Sequence, residues 1–186
     1  MAKKKLLADV DGVFADFTGR VLQLVAELTG KVFTAVDVKT WEIFDSLEVP
    51  EGTREKVYGI LRQPGGCESL SPYPGAAEGL RLVQGVAEVV FVTSPFSRAP
   101  TWPYERQRWL ERHLGVDPKR VIHALDKSHV CGDAFLDDNH DHLRAWGKAW
   151  PSRLRLHWMG NGTGFEPEPS AVPVRTWQQV VEWLAR

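Results

Sequence analysis

Asp9 and Asp11 stand one residue apart, directly after the apolar run Leu6-Leu7-Ala8 and directly before Gly12. Along a strand, alternation would send their carboxylates to opposite faces, but beyond the strand's end the backbone turns and both can serve one site. One carboxylate can then attack while its neighbour moves protons. Three further groups follow apolar runs: Thr93-Ser94 after 86–92, Lys127 after 121–125, and Asp137-Asp138 after 134–136. This set suits a phosphate monoester, whose negative charge repels a carboxylate nucleophile unless cations offset it. Lysine gives a fixed cation and a hydroxyl gives a donor. The carboxylates are hard oxygen ligands of the kind Mg²⁺ takes alongside water and substrate phosphate.

Residues so far apart in the chain meet only if the fold gathers strand ends. Apolar runs at 6–8, 86–92, 121–125, 134–136 and 154–159 alternate with helical spacing at 14–29, 75–84, 104–114, 140–148 and 177–185. That alternation predicts an α/β fold, a parallel sheet covered on both faces. Ligand sites in such sheets form beyond the carboxyl ends of the strands, where all of these polar residues fall. The stretch 19–71 contains no strand signal and predicts a small helical cap inserted after the first strand. The core is then 1–18 with 72–186. Residues 160–173 are rich in Gly, Pro and Asn and predict an irregular loop.

Composition narrows the class. The chain has 186 residues, enough for one sizeable core with a small insertion, and a formal net charge of -1. Neither a nucleic-acid polymer nor a membrane is an expected partner, since Lys3-Lys4-Lys5 is the only basic run and no apolar stretch approaches a membrane span. The N-terminus lacks the long apolar region of a signal peptide, so the expected location is cytoplasmic. Cys67 and Cys131 lack a CxxC spacing and are expected to be reduced.

The order DxD, Thr or Ser after an apolar strand, Lys, then an acidic pair resembles the four motifs of the haloacid dehalogenase (HAD) superfamily. That resemblance implies a Rossmann-like core with a cap, and a phosphatase. In it Asp9 is the nucleophile and Asp11 the general acid and base. Mg²⁺ is held by the Asp9 side chain, the Asp11 backbone carbonyl and the Asp137-Asp138 pair, with Asp138 favoured as the direct ligand. The Thr93 hydroxyl, with Ser94 beside it, and Lys127 would bind phosphoryl oxygens.

A narrower resemblance runs through most of the chain. DVDGVFADF, FVTSP, PYERQRWLERHLG, LDK and GDAFLDD occur in the order of the 5'(3')-deoxyribonucleotidase family, and Pro64-Gly65 before LSPYPGA fits it too. It implies a nucleoside monophosphate as the small phosphorylated substrate, with Phe17, Trp41 and Phe44 around the base and Arg106 helping to hold phosphate. A homodimer is compatible with the sequence. The chain departs from that family at Gly66-Cys67, where its relatives carry two aromatics, at Leu125 in place of Arg, and at Ser97 in place of Lys. The first departure keeps another small metabolite, such as a sugar phosphate, as an alternative substrate. A receiver-like phospho-acceptor module or an inactive binding protein are readings of other classes.

Plainer roles exist for the same residues. Asp9 and Asp11 can cap a turn, Thr93-Ser94-Pro95 can end a strand, and Lys127 can pair with Asp126 at the surface. Asp137-Asp138 can cap the 140–148 helix, and Phe17, Trp41 and Phe44 can pack in a core. The tract from Asp138 to His142 resembles a transition-metal site with His140 or His142 as ligand, but the acidic pair already accounts for a metal and polar residues are common at helix starts.

Overall fold

The computed structural model describes residues 3–186. Its six strands, β1 (Lys4–Ala8), β2 (Ala87–Thr93), β3 (Val121–His123), β4 (Ala134–Asp137), β5 (Leu154–Trp158) and β6 (Val172–Val174), form one sheet in the order β3-β2-β1-β4-β5-β6. Every pairing is parallel. The helices are α1 (Phe17–Thr29), α2 (Thr53–Leu61), α3 (Ala76–Val86), α4 (Trp102–Leu114), α5 (His140–Ala149) and α6 (Trp177–Leu184).

The sheet is buried on both faces because its central strands are apolar at successive positions. Leu6, Ala8, Phe91 and Leu136 share one core with Trp109, Leu80 and Val180. Leu7, Val92 and Phe135 pack on the other face against Leu143 and Trp146 of α5. Each such side chain contributes about 1.5–3 kcal/mol by leaving water. A third cluster, with Val21 and Val25 of α1, Val57 and Leu61 of α2, and Val38, Ile43 and Phe44 between them, forms a separate small core. The described residues of 19–71 contain no strand, and the division expected at 18/19 falls inside α1.

The chain builds outward from β1 to β3, then returns to place β4 on the other side of β1. Strand order therefore reverses between β1 and β4, and a crevice opens beyond their carboxyl ends. Register brings those ends level: Ala8 pairs with Leu136, and the Asp9 N–H donates to the Leu136 carbonyl at 2.9 Å.

Most boundaries shift by one or two residues, and three differences have a structural consequence. Helix α1 starts at Phe17 rather than Phe14, because residues 10–15 form a tight turn in which the N–H groups of Phe14 and Ala15 both donate to the Val10 carbonyl. Asp16 then caps α1 by accepting from the Gly19 N–H at 2.7 Å. Strand β3 stops at His123, two residues early. The expected loop 160–173 overlaps a sixth strand, Val172–Val174, whose Pro173 is tolerated because β6 is an edge.

Candidate active site

Asp9 is buried at the end of β1, and its Oδ1 accepts from the Val10 N–H at 2.7 Å and from Lys127 Nζ at 2.7 Å. Lys127 begins a short 3-10 turn after β3 and is buried rather than on the surface; its Nζ also lies 2.8 Å from Asp137 Oδ2. Burial pushes the Lys127 ammonium down, but the carboxylates of Asp137 and Asp9 outweigh it and hold the group charged. Asp137 has both oxygens engaged. Oδ1 accepts from the Asn139 N–H at 2.8 Å, while Oδ2 meets Lys127 and, at 3.2 Å, His142 Nδ1. Burial pushes the Asp137 carboxyl up, yet Lys127 and His142 prevail and hold it at about 2.

Asp138 is the counterpart. Its Oδ2 accepts from Asn161 Nδ2, while its Oδ1 is buried with no hydrogen-bond partner among the described residues. Burial, then Asp137 and Asp9, push the Asp138 carboxyl well above the usual range, and burial followed by Asp137 pushes Asp9 up to about 6. The described residues alone thus leave negative charge uncompensated beside an unpartnered carboxylate oxygen. That is the condition a bound cation would relieve, so the donor set fits a divalent metal. Donor atoms of Asp9, Asp137 and His142 also lie within 4.8 Å of one another. A cation among them would sit against the Lys127 ammonium and compete with the His142 contact, whereas Asp138 Oδ1 hydrogen-bonds neither group. Gly12 belongs to the same corner: its φ is 75°, and a Cβ there would lie 1.8 Å from Asp138 Oδ2.

The other expected residues divide. Asp11, Ser94, Phe17 and Trp41 line a cleft of about 390 Å³ together with Asp9, Lys127 and Asp138. Thr93 is buried at the end of β2, and its hydroxyl has no partner among the described residues. Ser94 commits its hydroxyl proton to the Ala124 carbonyl at 3.0 Å, so its side chain is not a free phosphate donor. Arg106 does not line the cleft: fully buried on α4, with its guanidinium 5.5 Å and 5.4 Å from the Trp102 and Trp109 ring centroids, it donates to Asp11 Oδ1. Phe44 packs in the small core, edge-on to Tyr58, and leaves the cleft wall to Ile43.

Sequence reasoning missed several residues. Tyr58 from α2, Arg62 just after it, Phe96 after β2 and Phe165 after β5 also line the cleft. Phe17, Phe96 and Tyr58 form a ladder with centroids 5.6 Å and 5.4 Å apart. These aromatics come from other positions than Gly66-Cys67. His142 lines the cleft as well, and Asn139, not the acidic pair, caps α5.

A parallel sheet whose strand order reverses between β1 and β4 is the fold of the HAD hydrolases. The chain matches one from Bacillus subtilis, solved bound to magnesium, with a TM-score of 0.58 at 15% identity over 100% of both chains. Within that class the family is specific. The sequence pattern of the 5' nucleotidase, deoxy (Pyrimidine), cytosolic type C proteins matches residues 3–154, and the chain belongs to that family. It is 30% identical over 142 residues to the human cytosolic type 5'(3')-deoxyribonucleotidase, covering 72% of this chain and 70% of that protein. With the mouse mitochondrial 5'(3')-deoxyribonucleotidase it shares 29% identity over 143 residues, 74% of this chain but 65% of the relative, which is under two thirds of that protein's length.

Proposed function

We propose that this chain is a Mg²⁺-dependent phosphomonoester hydrolase of the 5'(3')-deoxyribonucleotidase type, acting on nucleoside monophosphates through an aspartyl-phosphate. The observation that carries this reading is the convergence of Asp9, Asp11, Lys127 and Asp138 at one crevice beneath an aromatic-lined cleft. Asp9 and Asp138, with the Asp11 carbonyl, would hold the metal. When bound, Mg²⁺ offsets phosphate charge and polarises a phosphoryl oxygen.

Lys127 fixes Asp9 through Oδ1, which leaves the rest of the carboxylate to attack phosphorus. The new Asp9 O–P bond forms as the ester P–O bond breaks, and Asp11 gives a proton to the departing alkoxide. Asp11 then takes a proton from water, whose oxygen attacks phosphorus and releases inorganic phosphate and free Asp9. Arg106 holds Asp11 in place for both transfers. The unpartnered Thr93 hydroxyl and the Lys127 ammonium are the donors for phosphoryl oxygens.

In this reading residues 19–71 are a cap that closes over the substrate and sets its identity, while 1–18 with 72–186 carry the chemistry. Gly66-Cys67 argued for a sugar phosphate by removing aromatic area. Tyr58, Phe96, Phe165 and Trp41 return that area to the cleft, which favours a base.

The test is phosphate release from deoxy- and ribonucleoside 5'- and 3'-monophosphates and from sugar phosphates, with Mg²⁺ and with EDTA. We expect Mg²⁺-dependent turnover with kcat/KM for a deoxynucleotide at least about tenfold above any sugar phosphate, since stacking a base contributes about 1–3 kcal/mol. Preference for a sugar phosphate would contradict the substrate assignment, and equal turnover in EDTA would contradict the metal.

A further inference from the structure

The end of β5 and its connection to β6 carry none of the catalytic motifs, yet together they reach Asp138 from two directions. Asn161 is buried, and its Nδ2 donates to Asp138 Oδ2 at 3.1 Å. Its own Oδ1 accepts from the Thr163 N–H at 3.2 Å and from Thr163 Oγ1 at 2.8 Å, which settles which end of the amide faces Asp138. His157, buried at the end of β5, accepts the Glu168 N–H on Nδ1 at 2.9 Å. Its proton therefore sits on Nε2, 3.2 Å from the Asp138 carbonyl oxygen, and donates to it. One segment thus pins both the backbone and the side chain of Asp138. The same segment touches the small helical core, where the Gly164 N–H donates to the Val38 carbonyl at 2.8 Å.

The two carboxylate oxygens of Asp138 are consequently unequal. Oδ2 is held by Asn161, and Oδ1 is buried with no partner among the described residues. A monodentate carboxylate ligand needs this arrangement, with one oxygen tethered so that the other is presented in a fixed direction.

We propose that Asn161 is a positioning residue for the metal: by tethering Asp138 Oδ2 it aims Oδ1 at the cation and thereby sets Mg²⁺ affinity. This rests on Asp138 being a Mg²⁺ ligand, as proposed above. Asn161 does not line the catalytic cleft, so its loss acts on affinity for the ion before it acts on the chemical step.

Isothermal titration of the 186-residue chain with Mg²⁺ tests this, comparing wild type with Asn161→Ala and Thr163→Val, alongside thermal midpoints in EDTA and the Mg²⁺ dependence of turnover. Loss of an outer-shell partner weakens metal affinity about 10–100-fold, and we expect Asn161→Ala to fall in that range. The Mg²⁺ concentration at half-maximal turnover rises by the same factor, and most of the lost rate returns at high Mg²⁺. Thr163→Val keeps the Asn161 side chain but loses one of its two anchors, and weakens Mg²⁺ binding by a smaller factor. It serves as the deciding variant if Asn161→Ala does not fold. Wild-type affinity in both folded variants, with Mg²⁺ binding intact in the wild type, overturns the role of Asn161 alone. No Mg²⁺ binding by the wild type overturns the metal reading and this inference together.

Discussion

Lys127 makes a buried pair of aspartates tolerable. Its ammonium is nearly inaccessible to solvent and bridges Asp9 at 2.7 Å and Asp137 at 2.8 Å, so the three charges lose hydration together and compensate one another. Removing one partner of such a group leaves buried charge unpaired, which costs about 3–5 kcal/mol. We expect Lys127→Met to lose stability on that scale in urea unfolding at pH 8 in EDTA, and less at pH 5, where protonation neutralises the stranded carboxylates. Equal stability at both pH values would show that Lys127 does not carry the pair. At this scale the sequence was informative where chemistry follows a strand end, as for Asp9, Lys127 and Asp138. Asn161 was not separable from ordinary loop residues, and the sequence did not separate Thr93, whose hydroxyl has no partner among the described residues, from Ser94, whose hydroxyl is committed, because only hydrogen-bond partners distinguish them.

The elements explain why some predicted pocket residues line the cleft and others do not. Trp41 lies just before the short 3-10 turn Ile43–Ser46 and Phe44 lies within it, so the direction of the chain at this turn decides which ring faces solvent. Trp41 is 53% exposed in the cleft, while Phe44 is 9% exposed in the small core. We expect opposite phenotypes. Trp41→Ala should raise KM about tenfold with little change in unfolding free energy, by the weight of one aromatic–base stack. Phe44→Ala should cost about 3–5 kcal/mol in denaturant unfolding, as buried Phe truncations do. Reversal of the two would contradict their placement. The long amphipathic helices and apolar strands were readable from periodicity alone. Strand β6 was not, since its Val-Pro-Val pattern becomes a strand only by pairing at the sheet edge. The 3-10 turns were equally silent.

Across the whole molecule, the charge of the site links metal binding to pH. The Asp9 carboxyl is raised in the fold to about 6 by burial and then Asp137, so its contribution to stability is full below about pH 4 and lost as pH rises through 6. Asp138 has the same sign, and burial and its acidic neighbours raise it well above the usual range. Asp137, held at about 2, works oppositely: its contribution is present above about pH 4 and lost as pH falls toward 2. His157 lies on the far side of Asp138; burial, then His140, lower it to about 4, so its contribution falls away as pH drops from 6.5 toward 4. The metal-free stability curve mixes these signs. The increment in thermal midpoint on adding Mg²⁺, measured at each pH, isolates Asp9 and Asp138. We expect that increment to be small at pH 5 and to grow through pH 7, because Mg²⁺ must displace protons at low pH. An increment independent of pH would contradict carboxylate ligation by these residues.

In the proposed mechanism Asp9 forms a bond to phosphorus, and rapid acid quench with a ³²P-labelled deoxynucleoside monophosphate reads that bond directly. We predict protein-bound label that appears within the first turnover, is released by hydroxylamine as an acyl phosphate, maps to the peptide containing Asp9, and is absent in Asp9→Asn. Turnover without any labelled protein, or label of equal amount in Asp9→Asn, would contradict the account.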